Sequence, residues 1–219
     1  SSKPVALGVR GDAIRLWYSF NNQIEENTAF DSSDIVFWYS RDNEIRGNKA
    51  SGGRYSLHFM YSPYNLVEDN HFRVNSLGIF LMYSDSVTGR NNHISHAVGA
   101  AGVVIGFKET SEVEISGNDI LFCATGLHLD VSPYQPDTTN RVRVNLIAYN
   151  GIGVRFLNPW HGNEFRHNNF AGNHTQVAVG GRGNAMGNVW EDNYWSDYEG
   201  FDRDKNDVGD TPYTLTAYS

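Results

Sequence analysis

Seven short segments alternate apolar and polar residues with a period of two: AIRLWYS, DIVFWYS, SLHFMYS, GIFLMYS, GVVIGFK, GLHLDVS and GIGVRFL. Such alternation predicts strands with one buried face. Aligned on one another, they give three inward columns. The first is Ile14, Ile35, Leu57, Ile79, Val103, Leu127 and Ile152. Two positions on come Leu16, Phe37, Phe59, Leu81, Ile105, Leu129 and Val154, and then Tyr18, Tyr39, Tyr61, Tyr83, Phe107, Val131 and Phe156. A shorter strand after each segment supplies Ile24, Ile45, Val67, Ile115, Phe165 and Trp190, and a third supplies Phe72, Ile94, Ile120, Ile147, Phe170 and Trp195. No segment carries a helical period.

A second pattern, Asn, any, aliphatic, any, any, Asn, runs through the same units and ends at Asn27, Asn48, Asn70, Asn168 and Asn193, with weaker copies at Asn92, Asn118 and Asn145. Successive separations are 21, 22, 22, 26, 27, 23 and 25 residues. Self-similarity at this period marks a solenoid in which each unit is one coil. The leucine-rich consensus is absent, so the expected fold is all-β. It is a right-handed, single-stranded parallel β-helix of about eight coils over residues 1–195, closed by a polar C-terminal capping segment over 196–219. Asparagine suits the corners, since it tolerates left-handed backbone and its amide can bond to its copy on the next coil.

Residues between the core positions form outward columns with members about 4.8 Å apart. One reads Arg15, Val36, His58, Phe80, Val104, His128, Gly153, and the other Trp17, Trp38, Met60, Met82, Gly106, Asp130, Arg155. Large apolar residues thus stack on the solvent side over four coils, which marks a contact surface, and Trp17, Trp38 and Phe80 are its candidate partner-binding residues. Met60, Met82 and His58 bring two thioethers and an imidazole together, a donor set that suits Cu(I); side-chain packing is the plainer role for two methionines. His71 and His93, one residue past the ladder asparagine on adjacent coils, form with His96 a secondary metal candidate, against a plainer role as solvated corner residues. In the tail, Asp202, Asp204, Asn206, Asp207 and Asp210 resemble the start of a calcium loop. Asp207 stands where an EF-hand needs glycine and Tyr213 where it needs glutamate, which excludes that motif and leaves a simpler oxygen cage or a cap closed by Asx-turns.

Composition narrows the function. The 22 glycines fit frequent turns, and a net charge of −8 argues against nucleic acid or an anionic membrane surface as partner. No run approaches the roughly 20 apolar residues of a membrane span, and the start, SSKPVALGVRG, lacks a signal-peptide core, so no direct membrane insertion is expected. The lone Cys123 excludes an internal disulfide framework. Phosphate loops and nucleophile elbows are missing. Glycoside hydrolysis needs two carboxyl groups about 5 to 9.5 Å apart, and Asp130 with Glu109 and Glu112 on turns is a poorly placed set. A non-enzymatic role is expected, with a carbohydrate-binding or polysaccharide-degrading β-helix as the alternative.

The stretches RYSLHFMYSPYNLVEDN and GIFLMYSDSVTGRNN, with the closing NYWSDYEG and GDTPY, resemble the NosD family, from about Gly11 to Tyr213. The resemblance implies a right-handed β-helix in the periplasm that binds Cu(I) transiently. It also implies work beside an ABC transporter and a copper-delivering lipoprotein, ending in copper transfer to apo nitrous oxide reductase. Met60, Met82 and His58 occupy the matching coils. The chain starts in mid-repeat and stops soon after Thr-Pro-Tyr, where the family usually continues, so a fragment or processed form of a longer solenoid is expected.

Overall fold

A backbone that buries every second side chain and turns after a few residues must satisfy its N–H and C=O groups on neighbouring coils. The computed structural model, which describes residues 9–97 and 102–214, does this with three parallel sheets of eight strands each. The first sheet takes Ile14–Trp17, Ile35–Trp38, Tyr55–Met60, Leu77–Met82, Val103–Lys108, Thr125–Asp130, Ile152–Phe156 and Thr175–Val179 in sequence order. The second runs from Gln23–Glu25 to Val189–Glu191 and the third from Thr28–Phe30 to Tyr194–Trp195. Each coil contributes one strand to each sheet, so the architecture is a parallel β-solenoid of about eight turns, with no helix among the described residues. The eighth strand of the first sheet, Thr175–Val179, was not among the seven aligned segments.

Like residues pile up in register down the axis. Leu16, Phe37, Phe59, Leu81, Phe107, Leu129, Phe156 and Val179 are successive partners, and all but Val179 are buried. Aromatic core residues stack face to face where coils allow it, as in Phe37 on Phe59 at 4.6 Å and Phe165 on Trp190 at 4.2 Å.

Two features of the expected alignment are corrected. Ile79 pairs with Ile105 rather than Val103, and Leu127 pairs with Val154 rather than Ile152. The first outward column is therefore Arg15, Val36, His58, Phe80, Gly106, His128, Arg155, and the second is Trp17, Trp38, Met60, Met82, Lys108, Asp130. A slip of two residues leaves every side chain on the same face, so alternation alone cannot detect it. The third inward column is also wrong at its tyrosines, while its Phe107 and Phe156 are buried as expected and stand in register with Leu81 and Leu129. Tyr18, Tyr39 and Tyr61 are exposed, and with Tyr83 they take φ between 47° and 52° at the corner that ends each strand. Left-handed backbone swings the rings outward, where they stack in sequence at 4.9, 5.2 and 4.9 Å. The serine after each tyrosine turns inward instead; Ser40, Ser62 and Ser84 are fully buried, and the N–H of each serine from Ser19 to Ser62 donates to the next Oγ.

The asparagine ladder is continuous from Asn27 to Asn193. Each Oδ1 accepts the N–H and the Nδ2–H of the preceding coil's asparagine. The left-handed residue at this corner is the one before the asparagine, Glu26, Gly47, Asp69, Asn91, Gly117, Val144, His167 and Asp192. The first asparagine of the repeated motif forms a second ladder, Asn22 to Asn43 to Asn65 and Asn140 to Asn163 to Asn188. After Trp195 the described chain carries no strand. It folds back so that Tyr213 stacks on Trp195 at 4.3 Å and donates its hydroxyl to Asp197.

Candidate metal site on the outer face of the first sheet

Met60 and Met82 end neighbouring strands and are direct register partners. Both are half-buried. Because strand side chains alternate, His58 shares their face, and its Nε2 lies 3.3 Å from Met82 Sδ. The imidazole is only 8 % exposed. Burial lowers its pKa, Arg54 lowers it further and Asp34 opposes both. A neutral ring keeps a lone pair free for a metal.

A support that the sequence reading missed holds this ring. Tyr55 begins the same strand and stacks on His58 with centroids 4.5 Å apart and planes at 19°. The Arg54 guanidinium sits 5.2 Å over the Tyr55 ring and forks onto Asp34, with Nη2 donating to Oδ2 at 2.5 Å and Nε to Oδ1 at 3.2 Å. Asp34 is buried and also accepts the N–H of Tyr55. The hydrogen bond to Asp34 raises the Arg54 pKa, and burial raises that of the Tyr55 phenol. The signal in the sequence was the polar Arg-Tyr-Ser run that opens this strand upstream of its alternating part.

Towards the preceding coils the face around the sulfur and imidazole atoms is aromatic, while Lys108 is the register partner of Met82 on the next coil. Trp17, 52 % exposed, packs on Trp38 at 5.3 Å with planes at 56°. Phe80 leans over the next coil, where a Cβ on Gly106 would come within 2.2 Å of its ring.

The other candidates lie apart. His71 and His93 stack at 4.7 Å on the third sheet, between Lys49 and Asp119, with His93 Nδ1 3.3 Å from Asp119 Oδ2. Burial first, and then the neighbouring His93, lower the His71 pKa. His96 sits at the following corner with φ 58° and its ring 5.2 Å from Phe122. In the tail, Asp202 accepts the N–H of Asn206 and Asp207, Asp204 accepts that of Asn206, and Asp210 accepts that of Arg203. Desolvation raises the Asp202 pKa, and the backbone hydrogen bonds from Asp207, Asn206 and Lys205 together outweigh it, so the pKa is lowered. No group of three or more His, Cys, Asp or Glu able to hold a metal occurs among the described residues. The thioether pair with His58 is a different donor set, soft and uncharged, and it fits a monovalent copper ion.

Fold and surface together define a parallel β-solenoid that sets two methionine sulfurs and an imidazole beside aromatic rings. The family model described as NosD, periplasmic copper-binding protein, matches residues 1–200, and the chain belongs to this family. The chain is also similar to a protein of Pseudomonas aeruginosa named "Probable ABC transporter binding protein NosD", 36 % identical over 75 residues. That match spans 34 % of this chain and 18 % of the relative. No helix among the described residues is long and apolar enough to cross a membrane.

Proposed function

We propose that this chain binds Cu(I) in the periplasm through Met60, Met82 and His58, as an accessory protein in building the copper centres of nitrous oxide reductase. The observation that carries this reading is the approach of His58 Nε2 to 3.3 Å from Met82 Sδ, with Met60 in register beside it. Thioethers need no deprotonation and the buried imidazole is held neutral, so the site takes up and releases copper without exchanging protons. Trp17, Trp38 and Phe80 form the apolar surround on which a copper donor or acceptor docks. The name of the Pseudomonas aeruginosa relative supports an ABC transporter as one partner, and a copper-delivering lipoprotein and the apo-reductase are the donor and acceptor that this role requires. Competitive titration with Cu(I) under anaerobic conditions tests the site. Binding at one equivalent that is lost in Met60→Ala and in Met82→Ala supports it, and binding that survives both substitutions rejects it.

A further inference from the structure

The second outward column of the first sheet runs Trp17, Trp38, Met60, Met82, Lys108, Asp130, each the register partner of the next. The two thioethers are therefore bracketed by an indole on one side and an ammonium on the other. A monovalent cation between the sulfurs is repelled by Lys108 and attracted by the electron-rich face of Trp38. Trp38 is also held firmly. Trp17 packs against it, and its own Nε1 is buried with no hydrogen-bond partner. A buried unpaired donor carries a desolvation penalty, and such a group in a native fold calls for an explanation. The orphan N–H is a cost of keeping an indole at this position.

We propose that Trp38 is the aromatic wall of the copper site, holding Cu(I) by a cation–π contact beside Met60 and Met82. This rests on the copper reading of the same face. The indole adds neither charge nor a titrating proton. It strengthens the hold on a weakly hydrated monovalent ion, while a strongly hydrated divalent ion gains little from it.

Ag(I), which is stable in air, is the probe. Its addition is expected to change the indole fluorescence of the wild type and of Trp17→Phe, and to leave that of Trp38→Leu unchanged. Affinity should fall about five-fold in Trp38→Leu, as expected for a half-buried cation–π contact, and recover in part in Trp38→Phe, which keeps a ring. A fluorescence response that persists in Trp38→Leu, or equal affinities for it and the wild type, overturns the wall. If the Met60→Ala/Met82→Ala double variant loses Ag(I) while Trp38→Leu does not, the wall alone falls. If the wild type takes up no Ag(I), or the double variant binds as well as the wild type, the copper reading falls and the wall with it.

Discussion

Replacing Asn70 by alanine removes one rung of the ladder between the coils that carry Met60 and Met82. The side chain is 1 % exposed and makes four hydrogen bonds. Its Oδ1 accepts the Asn48 N–H at 2.9 Å and the Asn48 Nδ2–H at 3.0 Å, and its Nδ2 donates to Ile45 O and to Asn92 Oδ1, both at 2.9 Å. These bonds are not equally expensive to lose. Asn48 Nδ2 keeps Ile24 O and Arg46 O, and Asn92 Oδ1 keeps the backbone N–H of residue 70. The Asn48 N–H loses the one acceptor placed for it, and an orphaned buried donor costs about 1–3 kcal/mol. Two or three further bonds at about 1 kcal/mol each bring the total to about 4 kcal/mol. For a domain of this size that is a drop in Tm of about 8 to 16 °C.

Asn27, at the first and exposed rung, is the control. It donates to Glu25 O and Asn48 Oδ1 and orphans no buried donor when truncated, so Asn27→Ala should cost about 1 kcal/mol or less. Thermal melts followed by far-ultraviolet circular dichroism give both values. Asn70→Asp is expected to be at least as damaging at pH 7 as Asn70→Ala, because a carboxylate cannot donate to Ile45 O and would face Asn92 Oδ1 as an acceptor. Equal Tm shifts for Asn27→Ala and Asn70→Ala, or a stable Asn70→Asp, would refute the account of the ladder as a chain of obligatory donor and acceptor pairs.

Tyr55→Leu should weaken Ag(I) binding by about two- to ten-fold, the worth of one ring stack, while Tyr55→Phe keeps most of the affinity; titration of both variants decides. Cys123 occupies a serine-like rung, accepting the Ala97 N–H and donating to Leu121 O, and burial pushes its thiol up to about 11 from 9.0. The folded state thus favours the protonated thiol. Its contribution to stability is complete below pH 9 and lost as pH rises towards 11, by about 2 to 3 kcal/mol. Cys123→Ser should fold and should lack that loss in urea melts across this range. Gly106→Ala forces the Phe80 ring aside and should cost about 1 kcal/mol. Phe80→Ala in the same chain should cancel that penalty in a double-mutant cycle.

Most of the solenoid was legible because its signal is repeated in every coil. Period-two alternation gave the inward faces of the first sheet, and the recurring asparagines gave both the coil length and the corner at which the ladder forms. Register was harder to read. The chain between Asn92 and Val103 is longer than in earlier coils, and a shift by two residues preserves every inside and outside assignment, so Gly106 was placed beside Met82 when it lies beside Phe80. The tyrosine corner failed for a related reason. Tyr18, Tyr39, Tyr61 and Tyr83 continue the alternation in spacing, yet their positive φ ends the strand one residue earlier. The buried serine that follows each of them was the available clue. At the site, Met60, Met82 and His58 could be brought together from the repeat alone. Tyr55, Arg54 and Asp34 could not, since their contacts join an upstream strand extension to the preceding coil.

The three outward faces differ in a way that bears on where a soft ion could settle. On the second sheet, charges of opposite sign alternate down the first four coils, from Glu25 through Arg46 and Glu68 to Arg90. Arg46 and Arg90 flank Glu68, and further along Arg143 and Arg166 pair with Glu164, while Arg166 also reaches Glu191. These ions already have partners, and exposed pairs of this kind add little beyond holding register. On the third sheet the imidazole pair is bounded by Lys49 and Asp119, and His93 is engaged by the carboxylate. The first sheet is the face on which the described residues place uncharged sulfur and nitrogen donors next to one another without a competing carboxylate in the same column at those coils. Identical backbone registers thus produce charge pairing on one side and a soft, apolar surface on another, and the difference lies wholly in which side chains stand at the outward positions of two consecutive coils.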